Sequence, residues 1–63
     1  MESMLLRLPR VRDRVGLKKT AIYDAIRRGE FPAPVKIGRR SVAWDASAVD
    51  AWVRERIAAG ARR

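Results

Sequence analysis

The side chains of this sequence that could do chemistry are mainly cations and hydroxyls, and they fall in two short stretches. The first stretch carries Lys18, Lys19, Thr20, Tyr23 and Arg27. The second carries Lys36, Arg39 and Arg40. Lysine and arginine offer donors and no acceptor, and the arginine fork fits planar oxyanions and phosphate. Both stretches therefore predict the binding of a polyanion rather than the making or breaking of bonds.

Catalytic, metal and cofactor sites have little support. The chain has no cysteine and no histidine, and its seven carboxylates are scattered singly without a Gly-rich phosphate loop. No apolar run approaches the ~20 residues that span a bilayer, and the first residues are too polar for a secretory signal. We therefore expect a cytoplasmic protein that is not an enzyme and holds no cofactor.

The net charge points to a nucleic acid. Fifteen Lys and Arg against seven Asp and Glu give a formal charge of +8, and residues 1–44 hold eleven of these bases but only four of the acids. A basic surface confined to one part of a small domain is typical of nucleic-acid binding. From composition alone, the alternative is that the positive surface charge only keeps the protein soluble.

The elements that must position these residues begin with two short helices. The 63 residues form one domain (1–63), with an ordered core over about residues 5–58 and a basic tail over 59–63. One helix begins at Pro9 and ends before Gly16, and a second runs from about Lys18 to Arg28 and ends at Gly29. Two helices joined by a short glycine-containing turn predict a helix-turn-helix, whose second helix meets base edges in the major groove.

The helical period predicts which face of the second helix would contact DNA bases. At ~100° per residue, Ile22, Ala25 and Ile26 form the apolar side of the second helix. The opposite side collects Lys19, Thr20, Tyr23 and Arg27.

A hairpin follows the second helix. Val35 and Ile37 alternate with a lysine, residues 38–41 form a turn, and Val42 and Trp44 alternate with an alanine. Period-two alternation predicts two strands whose large apolar side chains share one face. The arginines at the tip would lie on phosphate or in a narrow minor groove, and the lysine on the outward side would extend the phosphate track.

A last helix completes the domain. It begins near Asp45 or Ser47, either of which can cap it. Its apolar stripe on the core consists of Val49, Trp52, Val53 and Ile57. Trp44 and Trp52 are both assigned to the core. The predicted fold class is thus mostly α with a small β-hairpin: a winged helix-turn-helix of three helices and a two-stranded wing.

Individual contacts can be predicted within this frame. Arg27 could fork onto a guanine edge, and Thr20 could meet a phosphate or a thymine methyl group. Tyr23 either donates to a phosphate or braces the helix pair. Lys18 and Lys19 are either solvated or bound to phosphate. Lys18 stands where a capping Ser, Thr or Asp is expected, so a DNA phosphate would complete this helix start.

The order of motifs along the chain resembles the AlpA-type regulators, which are small prophage-associated transcriptional regulators related to excisionases and to the DNA-binding module of the MerR superfamily. The resemblance covers about residues 6–57. It is carried by Leu6-x-Leu8-Pro9, Val15-Gly16-Leu17, Thr20-Ala21-Ile22-Tyr23, Gly29-Glu30-Phe31-Pro32-x-Pro34-Val35-Lys36-Ile37-Gly38, Val42-Ala43-Trp44 and Val49-Asp50-Ala51-Trp52.

The resemblance implies a MerR-type winged helix-turn-helix with Thr20 and Tyr23 on the recognition helix and Arg39 and Arg40 on the wing. It also implies a role in mobile-element biology, either as a transcription regulator or as an excisionase that bends DNA and assists an integrase. Family members usually carry serine where Lys18 stands. The chain ends before a MerR-type effector domain, so no small-molecule effector is expected.

Other interpretations remain open at this stage. The basic face could bind RNA, although RNA readers usually present exposed aromatic side chains, or the chain could be a protein-interaction module with incidental charge. Because one DNA-binding module buries only ~600–1,000 Å², self-association or cooperative assembly on DNA is also expected.

Overall fold

The computed structural model describes residues 4–61, which form three helices and a small antiparallel sheet. The elements are β1 (Leu5–Leu6), α1 (Leu8–Val15), α2 (Lys19–Arg27), β2 (Val35–Lys36), β3 (Val42–Asp45) and α3 (Ala46–Ala61). The strand order is β1-β3-β2. This architecture confirms the predicted fold class, a mostly helical winged helix-turn-helix, and adds β1 to the two predicted strands.

Both helices of the helix-turn-helix end where glycine allows a left-handed backbone. Gly16 has φ 72° and its N–H donates to the Arg12 carbonyl at 2.8 Å. Gly29 has φ 73°, and the next N–H, that of Glu30, reaches back to the Ala25 carbonyl at 2.8 Å. This second pattern is a Schellman motif, which satisfies carbonyls that the helix leaves free. The predicted ends are confirmed, and α1 begins one residue earlier than predicted.

The core is a single apolar cluster beneath the sheet. Its buried members are Leu6, Val11, Ile22, Ala25, Phe31, Trp44, Ala46 and Val49. Trp44 is fully buried, and its Nε1 donates to the Pro32 carbonyl at 3.0 Å. Trp52 lies only half-buried at the edge of the core, where its ring meets Phe31 edge-on at 5.0 Å and its Nε1 donates to the Glu30 carbonyl at 2.8 Å. The core assignment is thus confirmed for Trp44 and needs correction for Trp52.

The hairpin pairs in a register that separates the two predicted apolar arms. Val35 lies opposite Ala43, and Lys36 lies opposite Val42. Directly opposed residues share a sheet face and alternate residues return to it, so Lys36 lies on the face of Val42 and Trp44. Val35 lies on the other face and is exposed. The predicted common face for both arms is wrong, as is the outward position predicted for Lys36.

The last helix begins where the sequence predicts and extends beyond its predicted end. The Asp45 carboxylate accepts the Ser47 N–H at 3.2 Å, so Asp45 is the residue that caps α3. The helix continues through Ala61, three residues beyond the predicted ordered core, while residues 62 and 63 of the predicted tail lie outside the described part. Ile57 is exposed rather than packed on the core.

An ion pair anchors α3 to the helix-turn-helix. The Arg14 guanidinium lies 2.6 Å from the Asp50 carboxylate.

None of the helices in the described part is long and apolar enough to cross a membrane.

Candidate nucleic-acid interface

The exposed face of α2 carries the predicted reading residues. Lys19, Thr20 and Arg27 are exposed, while Ile22 and Ala25 are buried on the opposite side. The 3.6-residue period therefore separates a polar from an apolar face, as the sequence indicates. An α-helix with one free polar face is the element that the major groove of B-DNA accepts.

Arg27 is already engaged within α2. Its guanidinium donates to the Asp24 carboxylate one turn earlier, and the two side chains are 74 % and 42 % exposed. An exposed pair at this spacing stabilises a helix by only ~0.3–0.5 kcal/mol. The pair therefore orients the guanidinium but leaves it available to another acceptor.

Tyr23 braces the sheet against α2. It is half-buried, and its ring meets Trp44 in an edge-on arrangement with centroids 6.1 Å apart and an angle of 66°. Such aromatic pairs contribute ~0.5–1.5 kcal/mol beyond the burial of their surface. The bracing alternative is therefore present in the free protein.

The start of α2 has no side-chain cap. Lys18 is the N-cap residue, with φ −83° and ψ 165°, and makes no capping hydrogen bond. The first intrahelical bond runs from the Ile22 N–H to the Lys18 carbonyl at 3.0 Å. The preceding N–H groups of the first turn thus have no acceptor within the helix, and this turn contains no acidic residue. The free N–H groups and the positive end of the helix dipole at the start of α2 favour a bound anion there.

A basic groove, here called the wing groove, lies between the starts of α1 and α2 and the wing. It has a volume of about 500 Å³ and is lined by Arg7, Leu8, Pro9, Lys19, Tyr23, Arg40 and Val42. Three cations from three separate segments thus meet in one groove whose lining contains no acid. Several cations on one concave wall raise the local concentration of anions more than the same charges spread apart.

Arg7 is a residue that sequence reasoning missed. It precedes α1 as the N-cap residue with an extended backbone and no capping bond. Its position in the groove depends on β1, which pairs with β3 through Leu6 and Trp44. A two-residue strand leaves almost no periodic signal, so only the charge just before the Leu-Pro helix start could have drawn attention to it.

A second groove, here called the turn groove, lies at the helix-turn-helix turn. Its volume is about 380 Å³, and it is lined by Pro9, Arg12, Asp13, Gly16, Leu17 and Lys18. Its two cations share the wall with an aspartate. The wing groove is therefore the more positive of the two.

The remaining predicted residues lie around the wing groove rather than in it. Lys36 is exposed and lies opposite Val42, a lining residue, so it is on the groove side of the sheet. Arg39 is exposed at the tip of the wing but does not line the groove, and Arg27 lies farther along α2. The structure thus brings Lys19, Tyr23 and Arg40 together in the wing groove, places Lys18 in the turn groove, and leaves Thr20, Arg27, Lys36 and Arg39 outside both linings.

Two other kinds of site are absent from the described residues, a metal-binding cluster and an unpaired buried polar group. Between residues 4 and 61, no group of three acidic side chains lies close enough to hold a metal ion. In the same range, no buried polar side-chain atom lacks a hydrogen-bond partner.

Comparison with known proteins assigns the chain to a family. The family model described as prophage CP4-57 regulatory protein (AlpA) matches residues 4–57. The uncharacterized protein ORF88 of Enterobacteria phage P4 is 46% identical over 57 residues, which cover 90% of this chain and 65% of the relative. The chain thus spans slightly less than two thirds of that relative's length. The match includes every helix start, both strands of the wing and the wing groove, and on this basis the protein belongs to the AlpA family of prophage regulatory proteins.

Proposed function

We propose that this protein is a transcription regulator that binds duplex DNA through α2 and the wing, and that it controls genes of a prophage or other mobile element. The observation that carries the proposal is the wing groove, in which three cations lie beside the free polar face of α2. A phosphate strand that borders the major groove would lie along this groove while α2 enters the major groove. Membership of a regulatory family supports the same assignment.

The residues have distinct roles in this proposal. Arg7, Lys19 and Arg40 bind phosphates, which fixes the position of the protein on the duplex without reading sequence. Thr20 and Arg27 reach base edges, and a bidentate arginine–guanine contact discriminates by ~1–3 kcal/mol.

The outer cations complete the interface. Lys18 binds a phosphate at the uncapped start of α2, and Lys36 extends the phosphate track along the sheet. Arg39 enters the adjacent minor groove from the wing tip. The Tyr23 hydroxyl, at the wall of the wing groove, donates to a phosphate while its ring stays on Trp44. Such a regulator would act in the cytoplasm, on the nucleoid.

Titration on duplex DNA at several salt concentrations tests the proposal. Affinity should fall steeply as salt rises, because each neutralised phosphate releases condensed counterions. The duplex should bind more tightly than an RNA hairpin of matching length, since the deep, narrow major groove of RNA does not admit α2. Absence of salt-dependent duplex binding at low ionic strength, or preference for the RNA, would refute the proposal.

The second candidate function is that of an excisionase. It is favoured by the single short recognition helix, which offers too little contact for tight binding by one copy, so several copies on one bent duplex would be needed, with an integrase as partner. Footprinting separates the two roles. One compact protected operator supports the regulator, whereas phased repeats with bending support the excisionase.

A further inference from the structure

The outer face of the sheet carries exposed aliphatic side chains that the core does not use. Leu5 lies opposite Asp45, and Val35 lies opposite Ala43, so these four residues share one face. Ile37 continues this face, because it is two residues beyond Val35 and its N–H donates to the Ser41 carbonyl at 2.9 Å. Leu5, Val35 and Ile37 are 51 %, 47 % and 44 % exposed.

Ala43 forms the floor of this face. It is 0 % exposed, although it points away from the cluster that forms the core and is not a member of it. On β2 its neighbour across the sheet is Val35, and on β1 the nearest residue of this face is Leu5, which lies opposite Asp45, two residues farther along β3. The exposed aliphatic side chains of this face, Leu5, Val35 and Ile37, together with the buried Ala43 between the edge strands, are here called the outer sheet patch; Asp45 lies on the same face beside Leu5. Exposed aliphatic side chains grouped on one sheet face mark contact sites more often than singly scattered ones do.

The outer sheet patch faces away from the proposed DNA interface. The opposite sheet face carries Trp44, which contacts Tyr23 of α2, and Val42, which lines the wing groove. A duplex held by α2 and the wing groove would therefore leave the patch uncovered and free to contact a molecule bound farther along the same duplex.

We infer that the outer sheet patch is the contact between copies of this protein on neighbouring DNA sites. The inference rests on the proposed function, because it needs several copies on one duplex. The size of the patch argues for this occupant. Three half-exposed side chains offer on the order of 200 Å², far below the ~800 Å² per partner of a stable interface. Such a contact cannot hold a dimer in solution, but it is sufficient when DNA holds both copies at high effective concentration.

Charge favours the same conclusion. Each chain carries a net charge of +8, so two free copies repel each other. Bound phosphates neutralise part of this charge, which removes the repulsion only on DNA. The protein is thus a monomer in solution and associates when bound.

The test compares binding to a duplex of about one helical turn, which holds one copy, with binding to a duplex of several turns. The paired variant V35T/I37T keeps the β-branched shape but makes the patch polar, and I57T makes the same change at an exposed aliphatic position on α3, where Ile57 is 65 % exposed. L5S is a second variant on the other edge strand. Thermal melts confirm that each variant folds, and sedimentation gives the state without DNA.

The wild-type protein and I57T should bind the long duplex cooperatively, with neighbouring copies about tenfold tighter than isolated ones, within the usual range of coupled binding. V35T/I37T and L5S should lose most of this factor and keep the wild-type affinity for the one-turn duplex. Non-cooperative wild-type binding, a stable dimer without DNA, or equal losses in I57T would each overturn the inference. A wild-type protein that fails to bind even the one-turn duplex would instead refute the proposed function.

Discussion

Replacing Arg7 by alanine isolates the contribution of the wing groove. Arg7 makes no capping bond with its side chain, and alanine at this position therefore removes a cation without removing a capping hydrogen bond. We expect the free energy of unfolding to stay within ~0.5 kcal/mol of the wild-type value, as for most surface substitutions. If folding stability is unchanged within this limit, a loss of DNA affinity in Arg7→Ala reports the lost charge in the groove.

The size of the effect follows from counterion release. Each phosphate contact contributes ~0.9 to the slope of log affinity against log salt. Arg7→Ala should lower the slope by this amount, so its affinity deficit should shrink about 3.5-fold when salt rises fourfold. Removing all three groove cations, Arg7, Lys19 and Arg40, should lower the slope by ~2.7.

A matched control separates the groove from net charge. Arg54 is exposed on α3 and lines neither groove, so Arg54→Ala removes one positive charge elsewhere. Fluorescence anisotropy on one labelled duplex at four or more salt concentrations gives both slopes. If Arg7→Ala and Arg54→Ala change the slope equally, the groove has no special role and the assignment of Arg7 is refuted.

Three further substitutions test single residues. Lys18→Ser supplies the missing cap of α2, so it should raise stability by up to ~1 kcal/mol, seen as a melting temperature ~4–8 °C higher, and should weaken DNA binding; lower stability would contradict the uncapped geometry. Tyr23→Phe keeps the ring on Trp44, so the melting temperature should hold while duplex affinity falls ~2- to 12-fold, the equivalent of one lost hydrogen bond; unchanged affinity would leave bracing as the role of Tyr23. Trp52→Phe leaves the Glu30 carbonyl without its donor and should cost ~1–2 kcal/mol by chemical denaturation; a neutral result would indicate that water replaces the indole N–H.

The features that could be predicted from sequence are those fixed by local backbone chemistry. Gly16 and Gly29 adopt positive φ, a conformation that few other residues accept, so both helix ends were predictable. The exposed face of α2 follows from the helical period. The location of Trp44 in the core follows from its size in a domain with few large apolar residues.

The hairpin register was not predictable in the same way. Alternation indicates two strands, but a slip of one residue moves every side chain of a strand to the other face. The observed pairing of Lys36 with Val42 leaves five residues between them, and the turn chemistry of these five residues does not specify one pairing. The wing groove depends on this register and on β1, so Arg7 and the outer sheet patch could be found only from the assembled sheet.

The assembled sheet also explains how one small domain holds α2 and the wing, the two elements proposed to contact DNA, in a fixed relation. Trp44 lies in β3 at the centre of the sheet, contacts Tyr23 of α2 through its ring and donates to the Pro32 carbonyl in the segment that joins α2 to the wing. One buried side chain therefore connects the recognition helix, the connecting segment and the wing. Because the wing groove is bounded by α2 on one side and by the wing on the other, its width depends on these Trp44 contacts rather than on its own charged side chains, which repel one another.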